Sequence, residues 1–208
     1  MMTEALLSVF VTLFVVIDPI GVAPLFMSLT PTETVAERRK LALKGVAIGA
    51  GILFVFGLFG EALLNALGIG MPAFRIAGGI LLVLLSIDML MARDSGLRNT
   101  TEDETQEGAK RADISVFPLA IPLIAGPGAL TSIVLLMGKA EGDRQVQITV
   151  LATTAVVLIP TLLCLLAAST LMKLLGVTGV NVITRVFGII TAALGVQFVI
   201  DGVTRVVG

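Results

Sequence analysis

The sequence predicts an all-α integral membrane protein with six transmembrane helices, arranged as two inverted repeats of three helices each. Composition is the first observation: 56% of the 208 residues are hydrophobic and 14% are charged. Soluble domains contain roughly 45–50% apolar residues and about 25% charged residues. The second is a series of apolar stretches that each reach the ~20 residues needed to cross a bilayer. The third is a set of short sequence landmarks that recur at a constant offset. The expected spans are residues 5–29, 41–67, 71–92, 115–138, 146–175 and 182–207.

The first span is interrupted by Asp18-Pro19-Ile20-Gly21. Proline has no backbone N–H and clashes with the carbonyl one turn before it, and glycine relaxes the backbone around it. We therefore expect a discontinuous helix whose two halves meet near the middle of the bilayer. The break leaves backbone polar groups that protein, ligand or trapped water must satisfy.

The first loop carries a signal for the start of the second helix in Thr30-Pro31-Thr32-Glu33. Thr30 is the expected N-cap, Pro31 fits the first helical position, and Glu33 closes a capping box. The second helix is therefore expected to begin in this loop, before its membrane-spanning part.

A long polar stretch divides the chain into residues 1–92, a linker at 93–114, and residues 115–208. Lys and Arg concentrate in the first, third and fifth loops, which by the positive-inside rule places those loops in the cytoplasm and both termini outside. This orientation is the one expected for a multi-pass protein of the cell inner membrane.

The two halves share landmarks that indicate an internal duplication. Pro19 and Pro127 lie 108 positions apart, and Leu67-Gly68-Ile69 matches Leu175-Gly176-Val177 at the same offset. After a two-residue insertion, the run that begins at Arg75 aligns with the run that begins at Arg185. An odd number of helices per repeat forces the second copy to enter from the opposite face, which gives inverted repeats. Chance alignment of apolar segments is the alternative.

The fourth span is interrupted by Ala125-Gly126-Pro127-Gly128, where Gly126 stands in place of Asp18. Asp18 can cap the half-helix that begins at Pro19, bind a substrate ammonium, or take a coupling proton or cation. The other interruption offers bare backbone, and a half-helix that begins near Gly128 can receive a carboxylate on its free N–H groups. Together the two interruptions suit a small zwitterion. A kink that only aids packing is the alternative for Gly126 to Gly128.

Other polar residues within the spans extend the set of candidates. Thr131 either lines the site or bonds to its own helix backbone, and Gln197 is expected to reach the central cavity. Arg75 and Arg185 either snorkel to the interface or form a gate, with Glu61 as the expected partner of Arg75.

Four motifs resemble those of the MarC family of bacterial and archaeal inner-membrane proteins. They are the run VIDPIGVAPLF at 16–26 and the runs at 74–82, at 117–122 with 125–129, and at 195–202. The resemblance implies six helices in a 3+3 inverted arrangement. It also implies transport of small neutral amino acids such as glycine and alanine.

The function expected from these observations is secondary transport of small neutral amino acids by alternating access, coupled to H⁺ or Na⁺. The partners expected are the substrate and the lipid bilayer, and neither nucleic acid, cofactor nor metal is expected. The chain has no histidine, which removes the commonest metal ligand and proton shuttle, and we do not expect an enzyme. A passive channel for small solutes is the main alternative. An intramembrane protease that pairs Asp18 with Asp201 is a third possibility.

Overall fold

The computed structural model describes residues 2–91, 114–140 and 142–207, with side chains from Leu6 onward. Within these residues the secondary structure is entirely helical. The predicted linker at 93–114 lies outside the described residues apart from Ile114. The helices are α1 (Met2–Ile17), α2 (Pro19–Leu29), α3 (Val35–Ala66), α4 (Met71–Met91), α5 (Ser115–Ile124), α6 (Pro127–Gly138), α7 (Arg144–Leu166) and α8 (Ala168–Val207).

Five stretches of this described part are long and apolar enough to cross a membrane. One of them, Leu6–Leu29, joins α1 and α2 into a single candidate span. Helices α5 and α6 bend by 57° at their junction and provide a sixth span if they cross together. The described part of the chain is therefore all-helical with five to six candidate spans, where the sequence predicts six.

The start of α3 differs from the sequence prediction by four residues. Thr34 is the N-cap, its backbone N–H donates to Glu37 Oε2 at 2.7 Å, and its hydroxyl oxygen accepts from Glu37 N at 3.3 Å. The expected cap, Thr30, instead ends α2 by donating its hydroxyl to Phe26 O at 2.8 Å. The prediction of Thr30 and Glu33 was wrong because two consecutive Thr-x-x-Glu boxes occur here and Thr30 already caps the end of the preceding helix.

The fifth span also ends earlier than predicted. Helix α7 stops at Leu166 rather than at 175, and the chain turns at Ala167 (φ −96°, ψ 10°) before α8 begins. Ala167 has no helix-breaking side chain, so no local signal marks this end. A second irregularity follows at Gly176, whose φ of 62° lies outside the helical region. Ala168–Leu175 is therefore a separate helical segment ahead of the long remainder of α8.

Helix α3 runs parallel to α5 and α6. A Cβ on Gly49 would lie 2.8 Å from Ile124 Cγ2, and a Cβ on Gly60, eleven residues later, would lie 2.5 Å from Val134 Cγ2. Residues later in α3 therefore contact residues later in the α5–α6 pair. Their small residues let the backbones approach closely, as is usual between membrane helices.

Helices α4 and α8 pack antiparallel along most of their length. A Cβ on Gly79 would lie 2.5 Å from the carbonyl oxygen of Gly195, and one on Gly202 would lie 2.9 Å from that of Pro72. Residues nearer the start of α4 therefore contact residues nearer the end of α8. Helix α4 is therefore pressed directly against the α8 backbone at the Gly79–Gly195 crossing.

Candidate functional site

Asp18 joins α1 to α2 and is completely buried. Its backbone is left-handed (φ 47°, ψ 69°), and it is the only described non-glycine residue with positive φ, a conformation that costs most residues roughly 1–2 kcal/mol and that Asp and Asn tolerate best. Its Oδ1 accepts from the backbone N–H of Gly21 at 3.0 Å. Asp18 is therefore the N-cap of α2, which is one of the roles that the sequence predicts.

The second carboxylate oxygen of Asp18 contacts a different part of the fold. Thr184 of α8 donates its hydroxyl to Asp18 Oδ2 at 2.9 Å, and Thr184 is itself buried. Asp18 thus ties the α1–α2 junction to α8 through a buried, charge-assisted hydrogen bond. Sequence analysis missed Thr184 because the two residues are 166 positions apart and only the fold brings them together.

Replacing Thr184 with valine tests the strength of this bond. Valine has nearly the same shape but leaves Oδ2 without this donor, at an expected cost of about 1–3 kcal/mol. Because the chain has no Trp or Tyr, unfolding should be followed by circular dichroism at 222 nm. Thr184→Ser keeps the hydroxyl and is the matched control. Equal melting temperatures for the valine and serine variants would show that the bond contributes nothing.

The α5–α6 junction has a different local chemistry. Pro118 and Pro122 lie inside α5, where Phe117 and Ile121 adopt extended backbone angles. Helix α6 then begins at Pro127, with Gly126 as an extended N-cap that has no side chain to bond to the first turn. The helix starts at the position that the sequence predicts. Its first-turn N–H groups lack intrahelical partners, as at any helix start.

The end of α1 and the α5–α6 junction meet at one small cavity of about 20 Å³, and Asp18 follows this end of α1 without lining the cavity itself. Its walls come from the end of α1, from α4, and from the α5–α6 junction. A Cβ on Gly128 would lie 3.0 Å from Val16 Cγ1 and 2.7 Å from Leu85 Cδ2, so α6 begins in direct contact with both α1 and α4. A cavity of this size holds about one water molecule. The lining residues are Val16, Ile17, Leu85, Pro122, Leu123, Ile124, Gly126, Pro127, Gly128 and Ala129.

The electrostatic character of the two junctions is opposite. Asp18 places a carboxylate directly after Ile17, which lines the cavity. The start of α6 lines the same cavity and carries the positive end of a helix dipole. A cation is favoured near the first junction and an anion near the second. The arrangement can therefore orient a small molecule that has both charges.

The remaining predicted residues of the two interruptions also fall at these junctions. Pro19 and Gly21 are buried in the first turn of α2, and Ile20 is half-buried beside them. Ala125 is completely buried at the end of α5, one residue before Gly126. Thr131 is buried one turn into α6, where its methyl group contacts Gly78 of α4.

Gln197 lies apart from this site. It is exposed on α8, where its Nε2 donates to Asp201 Oδ1 at 2.7 Å. Asp201 in turn lies 3.8 Å from Lys139 Nζ, just after the end of α6. Gln197 is 13 residues beyond Thr184, about 20 Å along the helix.

The predicted gating residues lie on three different helices. Arg75 is buried on α4, with 2% of its surface exposed. Glu61 on α3 and Arg185 on α8 are both exposed. Two buried hydroxyls, those of Ser132 on α6 and Thr191 on α8, have no hydrogen-bond partner within the described residues.

Comparison with known proteins places nearly the whole chain within one group. The family description "MarC family integral membrane protein" matches residues 3–207. UPF0056 membrane protein YvbG of Bacillus subtilis is 35% identical over 96% of this chain and 94% of its own length. UPF0056 membrane protein YhcE of Escherichia coli is 36% identical over 93% of this chain and 89% of its own length. A UPF0056 membrane protein of Archaeoglobus fulgidus is 34% identical over 94% of this chain and 91% of its own length. No solved structure matches significantly.

Proposed function

The chain belongs to the MarC family of integral membrane proteins, and from that premise we propose that it is a secondary transporter of small neutral amino acids. The substrate class is that of glycine and alanine. The carboxylate end binds at the start of α6, and the ammonium end or a coupling H⁺ or Na⁺ binds at Asp18. The observation that carries the proposal is that the end of α1, directly before Asp18, and the start of α6 line one cavity.

The opposite chemistry of the junctions supports a zwitterionic substrate. A buried aspartate is costly in a membrane protein and marks a functional position by default. Here its two oxygens bond to Gly21 and Thr184, so the carboxylate is held in one orientation. The start of α6 has no capping side chain, and its backbone N–H groups are available to a substrate carboxylate.

The relation between the two halves supports alternating access of inverted repeats. Helices α2 and α6 begin at Pro19 and Pro127, which are equivalent positions of the proposed repeat. Gly68 and Gly176, a second equivalent pair, have positive φ of 70° and 62°. Helices α4 and α8, which end the two repeats, run antiparallel. A two-fold axis in the membrane plane requires this direction.

Transport at this site needs a conformational change. A cavity of about 20 Å³ is too small for glycine, so α6 must move relative to Val16 and Leu85 to admit substrate. Discontinuous helices supply the hinges for such movement. We place the protein in the inner membrane with both termini outside, and assign gating to Glu61, Arg75 and Arg185.

Equilibrium binding of labelled glycine to the purified protein in nanodiscs tests the substrate class. Unlabelled alanine should displace the label, whereas acetate and methylamine, which each carry one of the two charges, should require at least roughly tenfold higher concentration. Leucine should not compete because the site is small. Absence of saturable binding, or displacement by acetate as effective as by alanine, would contradict the proposal and favour a passive channel.

A further inference from the structure

Four helix ends meet at a second cavity, of about 30 Å³, which shares no lining residue with the first. Helix α2 ends near it, α3 begins beside it, and the α7–α8 turn closes it. Because spans end here, this cavity lies at the boundary of the membrane, where lipid headgroups reside. Its lining residues are Met27, Val35, Arg38, Arg39, Leu165, Leu166, Ala168 and Ser169.

The polar part of this cavity contains a fixed positive charge. Arg38 Nε donates to Thr30 O at 3.0 Å, its Nη2 donates to the same oxygen, and its Nη1 lies 3.6 Å from Met27 Sδ. A guanidinium has five N–H donors, so these contacts within the described residues leave two. Arg39 and the hydroxyl-bearing Ser169 line the same cavity and are exposed.

The apolar part of the cavity opens toward the outer surface of the helices. Val35 is 67% exposed and Leu166 is 40% exposed, although both are large apolar residues. Leu166 ends a candidate span and so borders the acyl chains, whereas Val35 begins α3 ahead of both arginines, on the side away from the bilayer. The planar guanidinium group of arginine can donate two parallel N–H bonds to phosphate oxygens. The cavity thus combines a phosphate-binding edge with an acyl-binding edge.

We propose that this cavity binds the phosphate group of an anionic phospholipid. Arg39, Ser169 and the free edge of Arg38 hold the phosphate, and Leu166 contacts the acyl chains. The bound lipid clamps the start of α3 to the α7–α8 turn. This site is independent of the proposed transport function, since it shares no residue with the Asp18 and Gly128 junctions.

Native mass spectrometry of the protein after delipidation and incubation with phosphatidylglycerol or phosphatidylcholine tests the site. The key pair is Arg39→Gln and Lys40→Gln, which remove the same charge from neighbouring exposed positions, although only Arg39 lines the cavity. Wild type and Lys40→Gln should retain one phosphatidylglycerol in preference to phosphatidylcholine. Arg39→Gln should reduce that retention about tenfold, and Ser169→Ala should reduce it by less.

Three outcomes would overturn the proposal. Equal phosphatidylglycerol retention by Arg39→Gln and Lys40→Gln would show that lipid binding depends on general surface charge and not on this cavity. Equal retention of phosphatidylcholine by wild type would show no preference for an anionic lipid. Full displacement of phosphatidylglycerol by inorganic phosphate at millimolar concentration would identify a free-phosphate site instead.

Discussion

Replacing Asp18 with asparagine is expected to abolish gradient-driven accumulation of glycine in proteoliposomes while leaving the protein folded. Asparagine tolerates the left-handed backbone of this position, and its side-chain oxygen can still accept from Gly21 N. Its amide can donate to Thr184, whose hydroxyl can act as an acceptor. The cap is kept and the negative charge is lost, so the variant separates the structural role of Asp18 from its role in transport.

The chain offers a matched control in Asp143, the exposed N-cap of α7, whose Oδ1 accepts from Gln145 N at 2.8 Å. Asp143→Asn makes the same chemical change at a capping position outside the site and should accumulate glycine like wild type. Loss of accumulation with intact counterflow would assign Asp18 to the coupling ion, and loss of both would assign it to the ammonium. Full accumulation by Asp18→Asn would show that the carboxylate is only a cap.

Replacing Gly79 with alanine at the α4–α8 crossing is expected to destabilise the protein. The new Cβ would lie 2.5 Å from the Gly195 carbonyl oxygen and 2.9 Å from Val199 N. Both are backbone atoms, so the two helices must separate to make room. Overpacking of this kind costs typically 1–3 kcal/mol, which exceeds the roughly 0.5–1 kcal/mol that alanine gains over glycine in a helix. The melting temperature should fall.

Gly51→Ala on α3 is the control, because a Cβ there meets nothing within 4 Å. The same substitution should leave its melting temperature unchanged or raise it, since only the helix-propensity gain remains. Opposite shifts for the two variants, measured by circular dichroism in one detergent, would support the close crossing. A stable Gly79→Ala protein would mean that α4 and α8 do not approach as described.

Local chemistry predicted much of this fold. Composition indicated a membrane protein, and the resemblance at 16–26 and elsewhere to the MarC family is confirmed by a match over residues 3–207. The starts of α2 at Pro19 and of α6 at Pro127 agree with the predicted positions, because proline at the first helical turn is a local signal. The inverted repeat and the depth of the junctions in the bilayer stay predictions.

Contacts between distant segments explain what sequence analysis missed. No residue near Thr184 in the sequence indicates its hydrogen bond to Asp18. The sequence around Arg75 does not distinguish a side chain that extends to the membrane interface from one that is buried, as Arg75 is. Ala167 ends α7 although it is not a helix-breaking residue, and only the fold shows that its neighbour Ala168 is buried. The capping box was misplaced for a local reason: two such boxes follow one another directly, and only the hydrogen bond of Thr30 at the end of α2 decides between them.

Counterflow of labelled glycine in proteoliposomes tests the central claim most directly, with wild type beside Gly128→Ala. Gly128 is the better position to vary than Gly126, because a Cβ on Gly128 meets side-chain ends of Leu85 and Val16, whereas one on Gly126 collides with the Pro122 carbonyl oxygen. The account predicts transient accumulation of label by wild-type vesicles preloaded with glycine, and its loss in Gly128→Ala. Equal counterflow in both would place the site elsewhere, and unsaturable leak of small solutes through wild type would contradict a carrier.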